Sequence, residues 1–278
     1  MFDRLLAIAD RARARVARIF TSAVGNLRDR VHRMHAAVME RVLATDAEGI
    51  ARAARLDEWY DRTSTEMAQQ YLEMMIAASN VAGERLNVRM NPAAPHVMEW
   101  VNTRALSLLG PNTDVEAVRS MIRLGIEQGM TTDQIARMIE GHIGLHPRQT
   151  AALLNYRQAL IDGGVSGDVL GRRVNAYGNQ LLRYRAQMIA RTETVTAVNA
   201  GVDALWIDAA NRGLVDADRV RRYWVVTRDD RLCPTCAAIP GMNRAGVRIG
   251  QPFATPAGEV LSPALHPLCR CMTRYAVI

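Results

Sequence analysis

The chain of 278 residues contains no lysine, so all 35 of its basic residues are arginine. That absence excludes chemistry built on a primary amine: the phosphate-binding lysine of nucleotide loops, the kinase lysine and Schiff-base catalysis. Aromatic residues are scarce at 5%, which leaves few ring platforms on which single-stranded bases could stack. Long apolar runs are missing too. Stretches such as Ala105-Leu106-Ser107-Leu108-Leu109 fall far short of the roughly 20 residues that span a bilayer, and no membrane-crossing segment is expected. Arginines at 11, 13, 15 and 18 interrupt the region where a secretory signal would need its apolar stretch, so the chain is expected to stay in the cytoplasm where it is made. Cysteine is absent from the first 232 residues; Cys233, Cys236, Cys269 and Cys271 follow within 39. In a reducing compartment such clustering favours a metal over disulfides.

What is present is an ordinary globular composition, 49% hydrophobic and 23% charged, which argues against a disordered or fibrous chain and for two modules over one. The net charge of +7 is unevenly placed. Residues 219–278 hold nine arginines against three acids, and residues 1–41 hold nine against four. Both ends are therefore electropositive.

The periodicity is helical over most of the chain. From Phe2 to about Leu43 it predicts one long helix or two abutting ones with Gly25 as the weak point, and Val24, Leu27, Val31, Met34 and Val38 form a short seam suited to packing in a bundle. Capping boxes predict helix starts at Thr45 with Glu48, Thr63 with Glu66, Thr113 with Glu116, and Thr131 with Gln134. Breaks are expected at 91–95, 110–112, His146-Pro147 and 161–164, where proline and glycine gather. Ala186 to Gly213 reads as a long helix with Gly213 as its C-cap. Three β-prone runs follow: 223–226, 246–249 and 273–278. The expected class is α+β, a mostly helical N-terminal region with long helices and then a small C-terminal β-containing unit stapled by a Cys/His cluster. The expected division is 1–110 and 111–278, with the cluster in 219–278 and the boundary at Gly110-Pro111.

Two half-sites carry the chemistry: Cys233-Pro234-Thr235-Cys236, and His266-Pro267-Leu268-Cys269-Arg270-Cys271. A Cys-x-x-Cys knuckle presents two thiolates to one tetrahedral ion, and zinc needs four of the five candidates Cys233, Cys236, His266, Cys269 and Cys271. A cross-link there would supply stability that this small segment's core cannot. Disulfides between the half-sites and free or redox thiols are the alternatives; if one ligand is spare, it is His266 or Cys271. Thiolates dominate and Glu259 is the only acid between the half-sites, so a closed structural site is favoured over a hydrolytic one. His32, His35, His96, His142 and His146 read as surface or satisfied polar residues.

An ordered set of residues resembles the phage Mu F-like head morphogenesis family, minor capsid proteins of tailed phages. It comprises Ala190-Arg191-Thr192-Glu193 with Asn199, Trp224, Asp229-Asp230-Arg231-Leu232-Cys233-Pro234-Thr235-Cys236, Phe253, Pro263, and 266–271. The turn 129–132 and the stretch 147–157 are also similar, and the likeness covers about 112–278. It implies a few-copy protein of the head interior and portal vertex, present in the host cytoplasm during assembly. Its implied partners are the portal protein and the major capsid protein, with non-specific contact to packaged DNA and none to membranes, in support of head assembly and of DNA packaging or ejection. It further implies that the cluster is a staple and that Arg191, Glu193, Asn199 and Asp229 are polar anchors, Arg191 and Glu193 joining the long helix to the β-containing unit. Some relatives carry toxin domains, for which the seven residues after Cys271 leave no room, and the Glu-x-Glu or Gln-x-Glu pair of an ADP-ribosylating site is missing from the β-prone runs. The expectation is a protein that is not an enzyme. The rival reading is a basic, zinc-containing nucleic-acid-binding module whose binding would be sequence-blind and steeply salt-dependent.

Overall fold

The β-prone runs and helical periodicities sort along the chain as expected: helices first, then a few short antiparallel strands. The computed structural model of the chain describes residues 1–278 apart from 85, 108–118, 120, 128 and 143. The Gly110-Pro111 boundary and the Thr113–Glu116 box therefore lie outside the described residues. The helices are α1 (Phe2–Arg33), α2 (His35–Leu43), α3 (Ala47–Ala53), α4 (Leu56–Gly83), α5 (Pro95–Ser107), α6 (Thr132–His142), α7 (Pro147–Asp162) and α8 (Gly167–Asn211). After α8 come strand β1 (Val220–Val225), helix α9 (Pro234–Met242), and strands β2 (Phe253–Thr255), β3 (Gly258–Val260) and β4 (Met272–Val277).

Several helix boundaries follow the sequence signals and others do not. Thr131 and Gln134 cap α6 reciprocally. The first helix does not break at Gly25 but runs on to Arg33, because nothing crowds that position and the flanking Val24 and Leu27 are buried. The Thr45 box is replaced by Asp46, whose carboxylate accepts from the Gly49 backbone N–H at 2.7 Å, while Thr45 itself takes a positive φ. Thr63 lies inside α4 and donates to the Trp59 carbonyl, a common use of a buried hydroxyl in mid-helix. The helix expected from Ala186 begins much earlier and spans 45 residues.

The chain resolves into two compact units, each stitched from separate segments. Unit 1 comprises Met1–Ala17, Met67–Arg104 and Gln187–Ile278; unit 2 comprises Arg18–Glu66 and Ala105–Ala186. In unit 1, β1 pairs with β4 in antiparallel register from Val220↔Val277 to Val225↔Met272, and β2 pairs with β3. Along β1 burial alternates, with Val220, Arg222 and Trp224 inward, as the pleat requires. The run 246–249 contributes one bridge, Arg222↔Val247, and no strand, since the glycine at 246 sits at positive φ and turns the chain.

In unit 2, Trp59 donates its indole N–H to the Ala23 carbonyl at 2.7 Å, fixing α4 to α1. The histidines here are more than surface groups. His35 bridges two acids, with Nδ1 at 2.6 Å from Glu140 and Nε2 at 3.1 Å from Asp133, and His32 reaches Glu140 at 3.2 Å. His142 is buried, and its Nε2, like that of His96, has no hydrogen-bond partner among the described residues. The Glu140 hydrogen bond above all, with Asp133 adding to it against burial, raises the His35 pKa. A raised histidine pKa stabilises the fold fully below the unfolded value of about 6.5 and less as pH climbs through the folded value. His35 and Arg137 lower the Asp133 pKa, so that contribution fades instead as pH falls into the acid range. His35→Gln should therefore lower the thermal midpoint more at pH 5.5 than at pH 8.5; an equal loss at the two pH values would count against the bridge.

Candidate metal centre

Proline fixes the local geometry of both half-sites. In the first, Pro234 opens α9 at the position where a missing N–H costs nothing. Cys233 is thereby the N-cap, its sulfur accepting from the Cys236 backbone N–H at 3.3 Å, and both sulfurs face one side of the helix start. In the second, the Cys269 N–H donates to the His266 carbonyl at 3.1 Å, Pro267 follows His266, and Leu268 takes φ 65°. Proline followed by a positive φ inside such a bond is the pattern of a type II turn. A leucine there is strained by about 1–2 kcal/mol, and its N–H is held by the Thr192 hydroxyl of α8 at 3.0 Å.

The two half-sites meet. His266 Nε2 lies 3.1 Å from the Cys233 sulfur and 3.1 Å from the Cys236 sulfur, and the Cys236 and Cys269 sulfurs are 3.9 Å apart. The ligand atoms form two groups, Cys233–Cys236–His266 and Cys236–Cys269–Cys271, each within 4.8 Å and sharing Cys236. All four cysteines are free thiols. Trp224, Ile239 and Phe253 wall the sulfurs in, the two rings meeting edge to face at 5.4 Å.

Crowding splits the thiols electrostatically. The hydrogen bond from Cys271, against burial, brings the Cys269 pKa down to about 5, while burial and the neighbouring Cys269 push Cys236 up to about 12. Cys271 is raised by Cys269 and by burial. At Cys233 burial opposes ionisation, but the Cys236 backbone N–H and His266 outweigh it and lower the pKa. Thiolates and imidazole at these separations form a donor set suited to a soft or borderline divalent cation, which would let more of the thiols ionise together.

Polar side chains of α8 seat the centre. Asn199 donates Nδ2 to the Cys271 carbonyl at 3.2 Å and accepts at Oδ1 from the Thr273 N–H at 2.7 Å. Glu193 does not join α8 to the β-containing part: it accepts from both Arg104 nitrogens at 2.7 and 2.6 Å and from the Tyr71 hydroxyl at 3.0 Å, tying α8 to α5 and α4. The Arg191 side chain has no hydrogen-bond or ion-pair partner among the described residues, and its carbonyl accepts from the Thr194 hydroxyl at 3.2 Å. Asp229 takes a bidentate pair from Arg270, 2.5 Å on each arm, which brings its carboxyl down to about 2. Glu259 is exposed on β3.

A family model described as Phage Mu protein F like protein matches residues 116–274. The chain belongs to the Phage Mu protein F-like family. Membership makes it a phage head morphogenesis protein with capsid-related partners, and among the described residues no helix is long and apolar enough to cross a membrane. No curated protein and no solved structure matches the chain.

Sequence reasoning missed one cluster on which this Mu F-like centre rests. Buried Arg222 of β1 reaches Asp203 of α8 at 3.4 Å and lies over the Phe253 ring, 5.0 Å from its centroid. Tyr275 donates to Asp203 at 2.8 Å and stacks on Trp206 at 4.9 Å. The only trace in the sequence is an arginine at an inward position of an alternating strand. Asn199→Ala should strand a buried carbonyl and a buried N–H and lower stability by about 3 kcal/mol in urea unfolding; a loss below about 0.5 kcal/mol would show that water replaces the amide.

Proposed function

We propose that the protein is a minor component of the phage head that associates with the portal protein and the major capsid protein inside the procapsid and supports head assembly. The observation that carries this reading is the family match over residues 116–274. On this reading the protein works by binding rather than catalysis and travels in the virion.

The Cys/His centre holds one structural zinc. The distances favour Cys233, Cys236, His266 and Cys269 as ligands. The 3.9 Å between the Cys236 and Cys269 sulfurs is close to the roughly 3.8 Å edge of a tetrahedron with zinc–sulfur bonds of about 2.3 Å. Cys269 and Cys271 group alike with Cys236, and the Cys236–Cys269 contact makes Cys269 the fourth ligand and Cys271 the spare. Four protein ligands leave no open coordination position, so the cation's contribution is a cross-link between the two half-sites.

A second reading, contact with packaged DNA, is favoured by Arg191. Burial lowers its pKa, and the charged groups that act on it are chiefly cations: Arg13, Arg270 and Arg231, against Asp10. Phosphates would relieve that repulsion without reading bases.

Elemental analysis of reduced protein should find one zinc per chain, lost in Cys233→Ser and Cys269→Ser but kept in Cys271→Ser. Loss in the third variant would overturn the ligand set, and protein without metal would overturn the zinc. For assembly, the protein co-expressed with portal and major capsid proteins should co-sediment with procapsids, and should do so far less when the portal is omitted. A protein that stays free in both cases would overturn the portal association.

A further inference from the structure

Four ligands satisfy the proposed zinc and leave one buried thiol, Cys271, without a task. Its position is nonetheless fixed. After the turn at Leu268 burial alternates along the chain, so that Cys269 and Cys271 lie inward while Arg270, between them, reaches out to Asp229. Asn199 of α8 holds the Cys271 carbonyl at 3.2 Å. The result is a grouping of sulfur alone: Cys236, Cys269 and Cys271, all three buried and with their sulfurs within 4.8 Å of one another.

Donor chemistry separates the two groups. Cys233–Cys236–His266 mixes sulfur with imidazole nitrogen, donors that suit a borderline divalent cation. The all-sulfur group offers three soft donors, and no fourth His, Cys, Asp or Glu joins it at that distance among the described residues. Zinc asks for four ligands, whereas Cu(I) selects soft thiolates and needs no more than three. Trp224, Ile239 and Phe253 close over these sulfurs, and an apolar shell limits the solvent access that would favour oxidation to Cu(II). The indole N–H of Trp224 is buried in that shell with no hydrogen-bond partner among the described residues. Sulfur kept ionised by a bound cation would supply the acceptor it lacks.

A path into the buried group exists along the ligands themselves. Cys233 and His266 are only half-buried. His266 Nε2 lies 3.1 Å from the Cys236 sulfur, which lies in turn 3.9 Å from that of Cys269. An ion captured by the outer pair can therefore be handed through Cys236 to the inner one by exchange of one ligand at a time.

We propose that Cys236, Cys269 and Cys271 form a three-coordinate site for Cu(I), loaded through Cys233 and His266. The copper and zinc occupancies share Cys236 and Cys269, so one ion excludes the other. Copper displaces zinc one for one, and the Cys271 thiol releases its proton to solvent as it ligates. Because Cys236 belongs to the first half-site and Cys269 and Cys271 to the second, the cross-link survives the exchange. The site stands on the sulfur positions and holds whether or not zinc is the resident ion.

The reduced full chain, loaded with zinc and titrated without oxygen with Cu(I) buffered by bicinchoninate, should take up one copper and release one zinc in native mass spectra. X-ray absorption at the copper edge should show three sulfur neighbours and no nitrogen. Cys271→Ser should bind Cu(I) at least tenfold more weakly while keeping its zinc, and the retained zinc shows that the variant's centre is folded. Nitrogen among the copper neighbours, an unchanged Cu(I) affinity in Cys271→Ser, or more than one copper per chain would each overturn the proposal. A chain that takes up no zinc would fail the zinc reading alone, because the copper stoichiometry and its sulfur neighbours are measured on that chain in the same way.

Discussion

Mutual repulsion among closely held thiolates is the constraint on which the C-terminal part of this protein depends. The sulfurs are drawn together by a helix N-terminus on one side and a proline turn on the other, and both are then sealed by Trp224 and Phe253. Without a cation the cluster can ionise only in part, with Cys269 low and Cys236 and Cys271 high. Protons held in a buried sulfur cluster are a weak substitute for a divalent charge.

The second organising element is the face of α8 turned toward the centre. Thr192, Asn199 and Asp203 are spaced by seven and four residues, which places them on one stripe of a 3.6-residue helix. Each holds a different piece of the β-containing part: Thr192 the strained turn at Leu268, Asn199 the start of β4, and Asp203 the Arg222–Tyr275 pair. Glu193 lies about 100° around the helix from Thr192, and accordingly serves α4 and α5 instead. The short Arg-Thr-Glu run therefore divides its labour by residue: threonine holds the turn of the metal centre, glutamate holds the helices, and arginine lies among other arginines.

Much of this was legible in the sequence, and for reasons that can be named. Helix and strand periodicities, the proline breaks and the two half-sites are local signals, and local signals survive translation into structure. Gly25 misled because glycine weakens a helix only when packing does not hold it, and Val24 and Leu27 are buried on either side. Thr63 misled because a cap motif inside an already favourable helix has no end to cap. The Arg222–Asp203–Tyr275 cluster and the acid-bridged His35 could not be read, because they join residues brought together only by the fold, and no spacing rule marks them. Arg191 and Glu193 are neighbours in one motif, yet what separates their roles is helical phase and the identity of the opposing helix, neither of which the motif records.

The register of the β1–β4 ladder has a kinetic consequence. Val225 faces Met272 with 46 residues between them, so the ladder cannot begin until a long stretch of chain has closed on itself. Non-local closure of this kind slows folding because chain entropy is lost before contacts compensate for it. A cation captured first by Cys233 and Cys236 would give the second half-site a point to search for, with 29 residues between Cys236 and His266. The closure then divides into two smaller searches, and the rate at which β4 finds β1 comes to depend on free metal concentration.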